Sequence, residues 1–174
     1  MTEHILSMIG LAKKAGQVEI GEEPVGSAAR AKDARVILVA QDAAAGSVRR
    51  AMSFGQTGAC LCLTVPFDKD QLGRALGRTS CAMAAITDIG FAEAIVKKLA
   101  ALDPQRFGSA AERMAVKAQR ARERKLEQLA QEAASLEEKL SGMGGCRADL
   151  RRLADRTAVE ASREESRSHL LDTG

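Results

Sequence analysis

The sequence predicts an α/β domain followed by a charged helical extension, and three observations carry that reading. The run "RVILVA", Arg35 to Ala40, is apolar and β-branched with a polar start, as in a strand buried on both faces. Similar short apolar runs alternate with helix-period stretches from residue 5 to residue 102. After Leu102-Asp103-Pro104 the composition changes to Ala, Glu, Lys, Arg and Gln, with no Gly or Pro between Ala110 and Leu140. With 174 residues, the chain can hold one core and an extension more easily than two full cores.

Taken in order, Ile5, Leu6, Met8, Ile9, Leu11 and Ala12 recur at helical spacing and stop at Ala15-Gly16, where glycine can adopt the left-handed conformation that ends a helix. "QVEI" is a short strand, and Gly21 leads to a helix from about Pro24 to Ala31, proline being tolerated in a first turn. The stretch "GEEPVG", Gly21 to Gly26, is therefore a strand-to-helix junction. The strand "RVILVA" is followed by a helix over about Ser47–Gln56, the strand "CLCLTV" and a helix over about Lys69–Leu76. The strand "AMAAIT" and a helix over about Phe91–Leu102 complete the set, giving four strands.

The domain boundary is placed at Leu102-Asp103-Pro104, so residues 1–103 form the α/β domain and residues 104–174 the helical tail. Within the tail, Leu126, Leu129, Ala133, Leu136, Leu140 and Met143 follow alternating spacings of three and four, a coiled-coil-like seam over residues 126–143. "GMGG", Gly142 to Gly145, interrupts it, and Leu150, Leu153, Ala154 and Ala158 resume it. An antiparallel helical hairpin and a solvated tail are both compatible with this pattern.

Composition narrows the function. Trp and Tyr are absent and Phe numbers four, so an aromatic platform for stacking single-stranded bases has almost no material. The net charge of +3 suits an anionic partner but comes from a small excess of cations. Cys60, Cys62, Cys81 and Cys146 contain no C-x-x-C pair and have no nearby histidine, which argues against a zinc site. Cys60 and Cys62 share one face of a strand and fit a core role. The amino terminus, "MTEHILSMIGLAKKAG", resembles neither a signal peptide nor a membrane span, and a cytoplasmic protein is expected.

Catalytic chemistry finds little support. His4 and His169 lie near the two termini without a nucleophile motif, and no phosphate-cradling glycine motif occurs. Glu22 and Glu23 fit the positive end of a helix dipole or the edge of a binding loop better than acid/base catalysis. Asp42 and Asp88 each follow a strand, where ligands of open α/β sheets collect, yet such aspartates also cap helices. The cations Lys13, Lys14, Arg30, Lys32, Arg35 and Arg78 fall at helix ends and loops, where they can meet phosphate. A second basic cluster, Arg113 to Lys125, sets six cations against Glu123 alone, a local balance of +5.

The ordered set "IGLAKKAGQVEIGEE", "ARVILVAQDA", "LGRALG" and "AITDIGFAEAI" resembles the ribosomal protein family L-seven-Ae, with its L-thirty-e and S-twelve-e relatives, and is most similar to its small bacterial branch. The similarity spans about Ile5 to Leu99. It implies a three-layer α/β/α sandwich with a mixed sheet that binds RNA, in many members at a kink-turn, without catalysis, cofactor or metal. It further implies two RNA-reading segments, Gly21 through Ser27 with Glu22 and Glu23 at the RNA-facing edge, and Gly77-Arg78-Thr79-Ser80 before the last strand. The pattern departs where strong kink-turn readers carry Asn-Glu and, three residues on, Lys: here Glu23-Pro24 and Ser27 stand in those places. Lys13, Lys14, Arg30, Lys32 and Arg78 complete the expected RNA-binding set.

The expectation is thus a cytoplasmic RNA-binding protein acting on structured or ribosomal RNA. The alternative is a protein-interaction or dimerisation module working through residues 126–143. An enzyme using Asp42 and Asp88 with a divalent metal is a third and poorer fit.

Overall fold

Helices and strands alternate up to the fifth helix and a sixth follows directly, in a computed structural model that describes residues 2–142 with Asp155, Arg156, Ala158 and Val159. They are α1 (Thr2–Lys14), β1 (Val18–Ile20), α2 (Glu22–Arg30), β2 (Val36–Val39), α3 (Ala45–Gly58), β3 (Leu61–Thr64), α4 (Lys69–Ala75), β4 (Met83–Ile86), α5 (Ile89–Leu102) and α6 (Pro104–Gly142). The strands form one mixed sheet in the order β1-β4-β2-β3, with β2 parallel to β3 and β4 antiparallel to both β1 and β2.

Residue type explains the order. The two central strands, VILV and MAAI, are buried at every position, as expected for strands covered on both faces, whereas the edge strands β1 and β3 are partly exposed. Successive side chains of a strand point to opposite faces, so Ile37, Val39, Met83 and Ala85 join Val25, Ala28 and Ala51 beneath α2 and α3. Val36, Leu38, Ala84 and Ile86 face the other way, onto Ile9 of α1, Leu72 of α4 and Ile95 and Leu99 of α5. The three-layer α/β/α sandwich with a four-stranded mixed sheet follows from this alternation.

The boundary expected at 103 coincides with the α5–α6 junction, but the compact unit continues past it, through Arg122, and residues 123–174 form a second unit. The physical reason is a stripe on the first turns of α6: Phe107, Ala110 and Met114 belong to the α1/α4/α5-side core, and Ala118 is also buried. Composition marked the junction of two helices, while burial continues beyond it. Met143, Gly144, Gly145, Cys146, Leu150, Leu153, Ala154 and His169, which carry the expected end of the seam and the second arm of a hairpin, lie outside the described residues.

Among the described residues no helix is long and apolar enough to cross a membrane.

Candidate nucleic-acid interface

Strand polarity decides which loops meet. Ile20, the last residue of β1, pairs with Ala84 near the start of β4, and Val39, the last of β2, pairs with Met83. The β1–α2 turn, the loop after β2 and the segment leading into β4 therefore share one edge of the sheet. At the opposite edge lie Gln17, Arg35 and Thr87, tied by Thr87 N–H to the Gln17 carbonyl (2.9 Å) and Arg35 N–H to the Ile86 carbonyl (2.7 Å).

At the first edge, Gly21 starts α2 with φ at 94°, a conformation strained for any side chain, and its N–H donates to the Met83 carbonyl at 3.2 Å. Cys81 reinforces the joint: its buried thiol donates to the same Met83 carbonyl at 3.1 Å. Burial pushes that thiol above the ordinary range, with backbone groups of Met83 and Gly21 and the Arg78 charge acting in opposition. Glu22 and Glu23 occupy the first turn of α2, and Pro24 follows without an N–H. The amides of Glu22 and Glu23 precede the helical hydrogen-bond ladder and, with the helix dipole, favour an anionic group in front of them.

The segment before β4 is folded against α4. Arg78 N–H donates to the Gly73 carbonyl at 2.7 Å, and Cys81 N–H to the Lys69 carbonyl at 2.9 Å. A Cβ at Gly73 would stand 2.8 Å from both Cα and N of Ser80, so only glycine permits this approach. Gly77, Arg78, Thr79 and Ser80 are exposed on the outside of the bend. The Lys13 ammonium lies across Gly77, where an added Cβ would come within 2.7 Å of it. Lys13 and Lys14 line a groove of about 900 Å³ between α1 and α4 together with Gln71, Arg74 and Gly77. Arg74, in the stretch "LGRALG", joins the expected cations there.

The expected set is thus divided. Gly21, Glu22, Glu23, Arg78, Thr79 and Ser80 come to one edge, with Lys13, Lys14 and Gly77 in the neighbouring α1/α4 groove. Ser27 lines a separate groove of about 600 Å³ with Glu19, Asp33, Arg35 and Thr87. Arg30 is the last residue of α2 and Lys32 lies just past it, because a nine-residue helix carries both away from Gly21. The Lys32 ammonium donates to the Thr57 carbonyl at 3.1 Å in the last turn of α3, and Lys117 of α6 donates to the Ala59 carbonyl at 2.7 Å. Both lysines satisfy carbonyls at the end of α3.

Arg50 of α3 was missed. Its guanidinium pairs with the Glu22 carboxylate across the α2–α3 contact, with side-chain exposures of 65% and 36%. No local pattern marks it, since nothing in one sequence says that residues 28 apart are neighbours. The pair occupies the Glu22 carboxylate, leaving Glu23 as the exposed acid at this helix start.

Asp42 and Asp88 act as helix-start acceptors. Asp42 accepts from Lys69 N–H at 2.8 Å at the start of α4, and Asp88 from Phe91 N–H at 2.9 Å in α5. Because β4 runs antiparallel to β2, they follow strand ends on opposite edges and do not share a site. Among the described residues no three His, Cys, Asp or Glu side chains converge as metal ligands would.

No protein-family model matches the chain. The RNA-binding protein YlxQ of Bacillus subtilis (strain 168) is 30% identical over 96 residues, a span covering 53% of this chain and 91% of that protein. A protein of unknown function from Bacillus halodurans has a similar structure, with TM-score 0.49 and 28% identity, over 56% of this chain and 94% of its own. The Giardia lamblia 15.5kD RNA binding protein has TM-score 0.50 and 18% identity, over 58% and 88%. That last likeness shows a shared fold. The sheet edge built from a glycine-started helix and a glycine-seated loop is thus found in a chain whose relative is an RNA-binding protein. The chain belongs to the bacterial L-seven-Ae-type family of YlxQ.

Proposed function

We propose that the protein is a non-catalytic, cytoplasmic RNA-binding protein that recognises structured RNA of the kink-turn type, ribosomal RNA being the expected source. The observation carrying this reading is the joint between Gly21, Met83 and Cys81, which holds the start of α2 beside the exposed segment Gly77–Ser80. An RNA strand passing this edge meets the α2 amides and the Arg78 guanidinium as phosphate partners, and the Glu23 carboxylate as an acceptor for base N–H groups. Lys13, Lys14 and Arg74 extend the cationic surface along the α1/α4 groove. The family relative named as RNA-binding supports the ligand class. With so few aromatic side chains, recognition relies on RNA shape and backbone.

The test is a salt series of binding to three matched RNAs: a kink-turn, the same strands with the kink base pairs repaired, and a plain duplex. A preference for the kink-turn that survives at high salt supports the reading. Equal affinity for all three, with a steep loss as salt rises, would reduce the claim to phosphate attraction, and no binding at any salt would remove it.

A further inference from the structure

The seam on the second half of α6 presents Leu126, Leu129, Leu136 and Leu140 to solvent, at 66%, 52%, 59% and 62% exposure. Four leucines on one stripe of one helix are an unusual surface for water to cover, and the three-four spacing is that of a two-helix interface. Upstream the seam stops, because the position one step before Leu126 is Arg122, whose guanidinium is paired with Glu93 at 2.5 Å. With Leu126, Ala133 and Leu140 as one core position and Leu129 and Leu136 as the other, the flanking positions are Lys125, Glu132 and Lys139 on one side and Ala130 and Glu137 on the other.

These flanking charges select the occupant and its direction. If two copies lay parallel, Glu132 of each would face Glu137 of the other, placing like charges together twice. If they lay antiparallel with Leu129 opposite Leu140 and Ala133 opposite Leu136, Glu132 of each would face Lys139 of the other, giving two opposite-charge pairs. Sliding the antiparallel pair by one heptad sets Glu132 against itself in one direction and Lys139 against itself in the other. Only one of these arrangements is free of like-charge contacts.

We propose that the exposed seam of α6 is a homodimer interface: a second copy of this chain packs antiparallel along Leu129–Leu140, with Leu129 facing Leu140 and Glu132 facing Lys139. The small Ala133 lies opposite the larger Leu136 and lets the two backbones approach. The assignment does not depend on RNA binding; it uses the second compact unit, and a dimer would carry two copies of the sheet-edge surface whatever that surface binds.

The test is sedimentation equilibrium of the full chain at low salt, comparing wild type with Glu132→Lys, Lys139→Glu and the double exchange. The proposal expects a wild-type dimer, roughly tenfold weaker association for each single exchange, and recovery in the double, because two attractive pairs become two repulsive ones and then attractive again. Leu136→Glu abolishes the dimer while α-helical circular dichroism persists. Tighter association for Glu132→Lys would overturn the antiparallel register in favour of a parallel one. A wild-type monomer at every concentration would overturn the dimer, and would mean that another protein or residues 143–174 cover the leucines.

Discussion

The two ends of α2 look alike in the sequence, each with charge and a helix boundary, and do different work in the fold. At the first end, Gly21 is bonded to Met83, the Cys81 thiol lies beneath, and the segment with Arg78 stands exposed alongside. At the other, the Lys32 ammonium is committed to the Thr57 carbonyl, next to Lys117 on Ala59. The difference teaches that a cation at a helix end is a ligand contact only where the fold has not already assigned it a carbonyl. Arg78 and Lys32 therefore make a matched comparison: under the proposed function Arg78 meets phosphate, whereas the Lys32 ammonium is bonded to the Thr57 carbonyl.

The largest effect at the first end is expected from Gly73→Ala. Its Cβ would meet backbone of Ser80, which cannot rotate away, so the substitution costs about 1–3 kcal/mol and lowers the thermal midpoint by several degrees. Because the exposed segment moves with Ser80, RNA affinity falls as well; an unchanged melting curve would mean that the segment is not seated as described. Lys32→Ala sharpens the other side of the comparison. It removes a charge from the α3 C-terminus and costs about 0.3–1 kcal/mol by chemical denaturation, with RNA affinity staying within about twofold. Arg50→Ala is smaller again, shifting stability by less than about 0.3 kcal/mol, because its pair with Glu22 is exposed.

The thiols provide a further contrast in alkali. Cys62, whose Cβ packs close to Gly55 of α3, is pushed up from 9.0 to about 11, chiefly by burial and then by the neighbouring Cys60. The folded chain thus keeps this proton to higher pH than the unfolded chain. The resulting stabilisation is present below pH 9 and is lost as pH rises towards 11. Urea titrations across that range should show a shallow fall in stability, and Cys62→Ala should make it shallower still.

Much of the fold was legible because local patterns carried it. "RVILVA" and "AMAAIT" are apolar enough to be central strands, Asp88 precedes α5 as a cap, and Gly16 follows α1 with φ at 71°. The candidate site was legible only in part. Gly21–Glu23 and Arg78–Ser80 could be named from the resemblance, yet their meeting depends on β4 running antiparallel to β1, and short strands do not state their direction. The same cause made Asp42 and Asp88 look like companions, while the Glu22–Arg50 pair was hidden because its residues are 28 apart in the sequence. In the tail, a composition break at Pro104 marked a new helix, whereas Phe107, Ala110 and Met114 keep its first turns in the core.

The most direct test of the central claim compares Arg78→Glu with Lys32→Glu in one titration against the kink-turn RNA at fixed, moderate salt. Both reverse one exposed charge, so long-range attraction to RNA changes equally and only position differs. Placing recognition at the Gly21–Met83 edge predicts that Arg78→Glu weakens binding by about tenfold or more, while Lys32→Glu loses only the few-fold expected of a distant charge. Equal losses for both, or a larger loss for Lys32→Glu, would contradict the account and move RNA contact to the far end of α2.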